Sequence, residues 1–127
     1  MTSAIEPTIL LVEDDPLLRD AFRLLLEDAG YRVSEAGSAS AALAAVSSAP
    51  PSLVLLDLGL PDRPGLDVCR ALRLDPATRH IPIVALTGHA GERERLDCFR
   101  AGCTAYFAKP VDPRALIGRL PSLLEAR

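Results

Sequence analysis

The sequence contains no tryptophan, and aromatic residues make up only 4% of its 127 positions, so any core must be packed from Leu, Val, Ile and Ala. It has no long basic run and a formal net charge of −3, so nothing in it favours direct binding of nucleic acid or an anionic membrane surface. No apolar stretch reaches the length of a membrane span. The opening residues, MTSAIEPT, lack the basic and apolar segments of a secretory signal. A cytoplasmic location is the expectation. Cysteine is scarce: Cys69, Cys98 and Cys103 show no metal-ligand spacing, and their odd number argues against a disulfide framework. Each is expected to pack as a small apolar residue. His80 and His89 stand alone, so a zinc site is not expected.

What is present is ordinary globular material, 49% hydrophobic and 24% charged, at a length that suits one domain. A single domain over residues 1–127 is expected. Short apolar runs at 9–12, 31–33, 53–56, 83–86 and 104–107 read as strands. Helical patterns separate them, at about 16–29, 38–48, 66–74 and 92–101, with a fifth beginning at Asp112-Pro113. Asp15 before Pro16 is a good helix start, and Gly30 a stop. Pro121 falls inside the fifth helix, where it predicts a kink or a break into two pieces. Five strands alternating with five helices predict a doubly wound α/β sheet, because parallel strands need crossovers that cover both faces.

Such sheets bind ligands beyond the carboxyl ends of their strands. There the first strand ends in Glu13-Asp14-Asp15, the third in Asp57, the fourth in Thr87-Gly88 and the fifth in Lys109-Pro110. Singly, each has an ordinary explanation: Asp15 and Thr87 can cap helices, Asp57 a turn, and Lys109 can be solvated. Together, Glu13, Asp14 and Asp57 would repel unless a cation sat among them. Their hard oxygens suit Mg²⁺ that keeps several waters. With Mg²⁺ the three acids sum to about one negative charge, which Lys109 can offset. Glycine at 59 would let the backbone approach the metal, and Gly88 would let an N–H face an anion.

Four marks fall in order on the five strand–helix units: VEDD, DLGLPDRPGLD, LTG and AKP. In these the chain resembles the response-regulator receiver domains of two-component signalling, over about residues 7–125. The resemblance implies a flavodoxin-like sheet of order 2-1-3-4-5 with five flanking helices. It further implies that Asp57 accepts a phosphoryl group from a histidine kinase or histidine phosphotransfer protein. Glu13, Asp14, Asp57 and the Gly59 carbonyl would hold Mg²⁺, Asp14 directly and Glu13 through water. Thr87 and Lys109 would each meet a phosphoryl oxygen, and the Lys109–Pro110 bond would be cis. Tyr106 matches an aromatic switch position coupled to Thr87. The output face would comprise the fourth helix, fifth strand and fifth helix, with Arg93, Arg95, Arg100 and Arg114 as exposed candidates. Such a domain is a signalling module rather than an enzyme, a monomer or weak dimer with an output partner that the sequence does not name.

Gly59 and His89 occupy positions that tune dephosphorylation in that family, and the fifth helix lacks the charge pattern of regulators that dimerise through it. Two rival readings are a pseudo-receiver that binds partners without phosphate and a phosphatase of the haloacid dehalogenase type. The latter would want a second Asp two residues after the nucleophile, where this chain has Gly59.

Overall fold

A computed structural model describes residues 6–89 and 91–125. The remaining positions of the expected 1–127 domain, residues 1–5, 90 and 126–127, lie outside the described residues. Each apolar run becomes a strand: β1 (Thr8–Val12), β2 (Arg32–Ala36), β3 (Leu53–Asp57), β4 (Ile83–Thr87) and β5 (Ala105–Ala108). The intervening helices are α1 (Pro16–Asp28), α2 (Ala39–Ser48), α3 (Gly65–Leu74), α4 (Glu92–Ala101) and α5 (Pro113–Glu125). The strands form one parallel sheet in the order β2-β1-β3-β4-β5. No described helix is long and apolar enough to cross a membrane.

Side chains alternate across the pleat and divide the core in two. Leu10, Val12, Val54, Leu56, Ile83 and Ala85 face α2, α3 and α4. Ile9, Leu11, Leu53, Leu55, Val84 and Leu86 face α1 and α5. The central strands β3 and β4 are buried along their whole length, which is why they read as unbroken apolar runs. Each fully buried Leu or Ile contributes about 1.5–3 kcal/mol of transfer free energy.

Two elements differ from the sequence reading by more than a one-residue shift, each for a physical reason. β2 extends three residues past 33, because it is an edge strand whose exposed Ser34 and Glu35 carry no apolar signal yet pair with Leu10 and Leu11. α5 runs unbroken through Pro121. Its buried Leu116, Leu120 and Leu123 hold one face against the sheet, while Pro121 itself is exposed. Tertiary packing outweighs the single hydrogen bond that proline removes.

Candidate functional site

All five strands point their carboxyl ends the same way, so the loops after β1, β3, β4 and β5 share one edge of the sheet. Glu13 and Asp57 are each 2% exposed there, although both are carboxylates. Glu13 Oε2 accepts from the Asp15 backbone N–H at 3.1 Å. Glu13 Oε1 is fully buried and has no hydrogen-bond partner. Burial, and after it the neighbouring Asp57 charge, pushes the Glu13 carboxyl up to about 7, against the pull of the Asp15 N–H and Lys109. Asp14, beside it, is exposed. One oxygen from each of Glu13, Asp14 and Asp57 lies within 4.8 Å of the others.

Lys109 reaches this cluster from the end of β5. Its Nζ lies 2.7 Å from Asp57 Oδ1 and 3.9 Å from Glu13 Oε1. Asp57 Oδ1 also accepts from the Gly59 N–H at 3.1 Å. The Lys109–Pro110 bond is cis. One ammonium, paired with Asp57 and near Glu13, therefore serves a cluster of three carboxylates, and a buried acidic oxygen is left without a donor. That donor set fits a hard divalent cation, which would satisfy the orphaned oxygen and offset the surplus charge.

Thr87, at the end of β4, is buried, and its hydroxyl closes on its own loop. It accepts from the His89 N–H at 3.0 Å and donates to the His89 carbonyl at 3.3 Å. Tyr106 is half-buried on β5 and meets Phe99 of α4 edge-on, with ring centroids 6.3 Å apart. Arg95 lies over the Phe99 ring, 5.9 Å from its centroid, and pairs with Glu92. Asp15 caps α1 as its position before Pro16 predicts, accepting from Leu17 and Leu18 N–H groups.

Space does not explain two of the glycines. A Cβ on Gly59 would meet only Asp57 Oδ1, at an ordinary 3.7 Å, and one on Gly88 would meet nothing within 4 Å. Gly65 is the glycine that crowding demands, since its Cβ would fall 2.6 Å from Leu58 Cα. Sequence reasoning also passed over Asp62. Its carboxylate accepts from Ala39 N at 2.9 Å and Ser40 N at 3.0 Å, so the loop after β3 caps α2. Arg19 was missed too: its guanidinium donates to the Glu13 carbonyl at 2.7 Å and fixes the exit of β1. Neither bond has a local sequence signature, because each partner is chosen by the fold.

The topology and the acidic cluster at the strand ends define a doubly wound α/β domain of the kind that binds ligands at its topological switch point. The response regulator receiver domain model matches residues 9–121. The chain belongs to that family.

Among its relatives, the phosphate regulon transcriptional regulatory protein PhoB of Pseudomonas aeruginosa is 37% identical over 117 residues, 92% of this chain and 51% of PhoB. The polar-differentiation response regulator DivK of Brucella ovis is 36% identical over 119 residues, 92% of this chain and 95% of DivK. The chain thus spans about half of PhoB and nearly all of DivK. A CheY-like receiver domain protein from Methanospirillum hungatei superposes with a TM-score of 0.88 at 30% identity, covering 95% of each chain. The receiver domain of a Pseudomonas aeruginosa sensor histidine kinase, solved with a magnesium ion coordinated in its active-site cleft, superposes with a TM-score of 0.87 at 30% identity, covering 95% of this chain and 99% of that one.

Proposed function

We propose that this receiver domain accepts a phosphoryl group on Asp57 from a phosphohistidine donor and converts it into a change on the face formed by α4, β5 and α5. The observation that carries this reading is the 2.7 Å contact between Lys109 Nζ and buried Asp57 Oδ1, beside the unsatisfied Glu13 oxygen. An acid held on the last residue of a buried strand is a positioned nucleophile. Oδ1 receives both the ammonium and the Gly59 N–H, and no described hydrogen bond engages Oδ2. Oδ2 attacks phosphorus, an O–P bond forms, the donor's P–N bond breaks and the imidazole leaves with the electron pair.

Glu13, Asp14, Asp57 and the Gly59 carbonyl would hold Mg²⁺. Bound there, the ion supplies positive charge to the acids and to the phosphoryl oxygens, which is most of what phosphoryl transfer needs. Lys109, paired with Asp57 Oδ1 in the free chain, follows the charge and turns an N–H to an oxygen of the incoming phosphoryl group. The Thr87 hydroxyl, turned toward His89 in the free chain, exchanges that backbone partner for a stronger anionic acceptor. Its movement opens room for Tyr106, whose ring links β5 to α4 through Phe99.

The donor must bring its histidine to Asp57, and so must rest on the surface beside Lys109. An apolar groove lies there, lined by Leu18, Phe22 and Leu25 of α1 together with Lys109, Pro110 and Val111. Leu17 and Leu24 of the same helix are 83% and 59% exposed. This surface fits an apolar helical face of the donor, such as a histidine kinase or histidine phosphotransfer protein offers.

Intact-mass analysis after incubation with acetyl phosphate tests the reading. The chain gains one phosphoryl group when Mg²⁺ is present and none when it is chelated. Absence of labelling under both conditions would instead favour a phosphate-independent binding module, and labelling that ignores Mg²⁺ would remove the metal from the mechanism.

A further inference from the structure

The three thiols, dispersed in sequence, converge beneath α3 and α4. Cys69 on α3, Cys98 on α4 and Cys103 in the turn before β5 are all buried in one cluster. Cys69 and Cys103 are in direct contact, with their sulfurs 3.7 Å apart across 34 residues of chain. The Cys103 S–H donates to Cys69, and the Cys69 S–H donates to the Ala101 carbonyl at 3.2 Å. Among the described residues no third His, Cys, Asp or Glu joins this pair closely enough to make a metal site. The pair therefore suits sulfur–sulfur chemistry better than coordination.

We propose that Cys69 and Cys103 are a redox modification site, which peroxide oxidises to a reversible disulfide that fastens α3 to the turn between α4 and β5.

The surroundings prepare that bond. Arg73, one turn beyond Cys69 on α3, grips both sides of the turn: Nε donates to the Gly102 carbonyl at 2.9 Å and Nη2 to Thr104 Oγ1 at 3.4 Å. Nη1 anchors the same guanidinium on the Ile81 carbonyl at 2.7 Å. Cys103 is thus held against Cys69 from both of its neighbours. The sulfurs need to close from 3.7 Å to about 2.05 Å. Cys103 lies in a turn, where Gly102 already has φ 106, so the turn can supply the movement that a helix cannot. Exposed Thr104 and half-buried Gly102 flank Cys103, whereas Cys69 is fully buried, so peroxide reaches the pair through an opening of this turn.

The Cys103 S–H, with Arg73 and Arg70 behind it, draws the Cys69 thiol below its ordinary range, while the same bond and burial push Cys103 up. Cys69 is accordingly the thiolate that reacts first. Its sulfur attacks peroxide, the O–O bond breaks, and Cys69 sulfenic acid and one water result. Cys103 sulfur then attacks Cys69 sulfur, the S–O bond breaks and hydroxide leaves with the Cys103 proton as a second water. Two thiols lose two electrons and peroxide gains them.

The modification itself is independent of the signalling reading. Its consequence rests on that reading: α4, whose last residue Ala101 adjoins the bridge, would be tied to α3 and less free to follow Asp57.

The whole chain, folded and without denaturant, is treated with hydrogen peroxide, quenched with catalase, denatured and alkylated with N-ethylmaleimide. The expected product carries one alkyl group, on Cys98, and a linked Cys69–Cys103 peptide. Dithiothreitol should restore three alkylation sites. Cys98→Ala should still form the bridge, whereas Cys69→Ala and Cys103→Ala should not. Three alkylated thiols after oxidation, a bridge that includes Cys98, an intermolecular dimer or irreversible sulfinic acid would each overturn the site, and the wild-type result needs no variant to fold. Beryllium fluoride with Mg²⁺ then separates site from consequence. In the bridged chain, amide shifts near Asp57 should persist while those of α4 shrink. An undiminished α4 response in bridged protein would overturn the regulatory consequence alone, and no response in reduced protein would instead overturn the receiver reading.

Discussion

Gly65 and Asp57 are in backbone contact. A β-carbon on Gly65 would stand 2.8 Å from the Asp57 carbonyl oxygen and 2.6 Å from Leu58 Cα. The start of α3 is thereby pressed against the residue that carries the candidate phosphoacceptor. Backbone cannot yield as a side-chain tip can, so Gly65→Ala should cost about 1–3 kcal/mol, read from the urea midpoint. Gly59→Ala, which meets only ordinary van der Waals contact, should stay within about 0.5 kcal/mol of the parent. Equal losses would mean that the crowding at Gly65 is relieved elsewhere.

A pH signature follows from Asp62. The backbone N–H groups of Ala39, then of Ser40, hold its carboxyl at about 2, below the ordinary 3.8. For a depressed acid the contribution to stability is complete above the unfolded value and is lost as pH falls through the folded one. The junction of α2 with the loop after β3 should therefore loosen as pH drops from about 4 to about 2. NMR of the Ala39 and Ser40 amides measures this directly. Their shifts should titrate with a midpoint near the Asp62 value and lose that transition in Asp62→Asn.

Donor docking and chemistry are separable. Leu18→Ser with Leu25→Ser removes apolar surface from the groove beside Lys109 and leaves the acids untouched. Transfer from a phosphorylated histidine protein should fall about tenfold, which corresponds to roughly 1.4 kcal/mol. Labelling by acetyl phosphate, which needs no docking surface, should stay within about twofold of the parent. Loss of both activities together would place these leucines in folding rather than in recognition.

The coupling of Thr87 to Tyr106 is tested through the spread of amide shifts. Thr87→Ala removes the hydroxyl now bonded to His89, and Tyr106→Ala removes the ring that meets Phe99. With beryllium fluoride and Mg²⁺, amide shifts in the wild type should spread from Asp57 through Thr87 to α4. In Thr87→Ala they should remain near Asp57, and in Tyr106→Ala they should stop short of α4. An unchanged spread in both variants would mean that the signal leaves by another path.

The strand order followed from the family resemblance, whereas the gathering of Glu13, Asp14, Asp57, Thr87 and Lys109 was legible because parallel strands put all their exits on one edge. Local patterns carry that information: apolar runs, a helix cap at Asp15 and turn residues after each strand. What was illegible depends on long-range packing. Asp62 caps a helix 22 residues earlier in the chain, and Cys69 meets Cys103 across 34. Neither spacing resembles a motif, since the fold alone makes them neighbours. The candidate residues on the expected output face were picked by charge, so Arg95 was noticed while the Phe99 under it was not. A break at Pro121 was overweighted for the opposite reason: its local preference was visible, whereas the buried leucines that outvote it act through the sheet.

The central claim is that Asp57 itself becomes the aspartyl phosphate, and reductive trapping tests it at the level of one residue. The chain is labelled with acetyl phosphate and Mg²⁺, reduced with borohydride and mapped by peptide mass spectrometry. Borohydride converts an acyl phosphate to the alcohol, so position 57 should be recovered as homoserine, only after labelling, and not in Asp57→Asn. Homoserine at position 14 or 15, or a labelled chain with unmodified Asp57, would contradict the account.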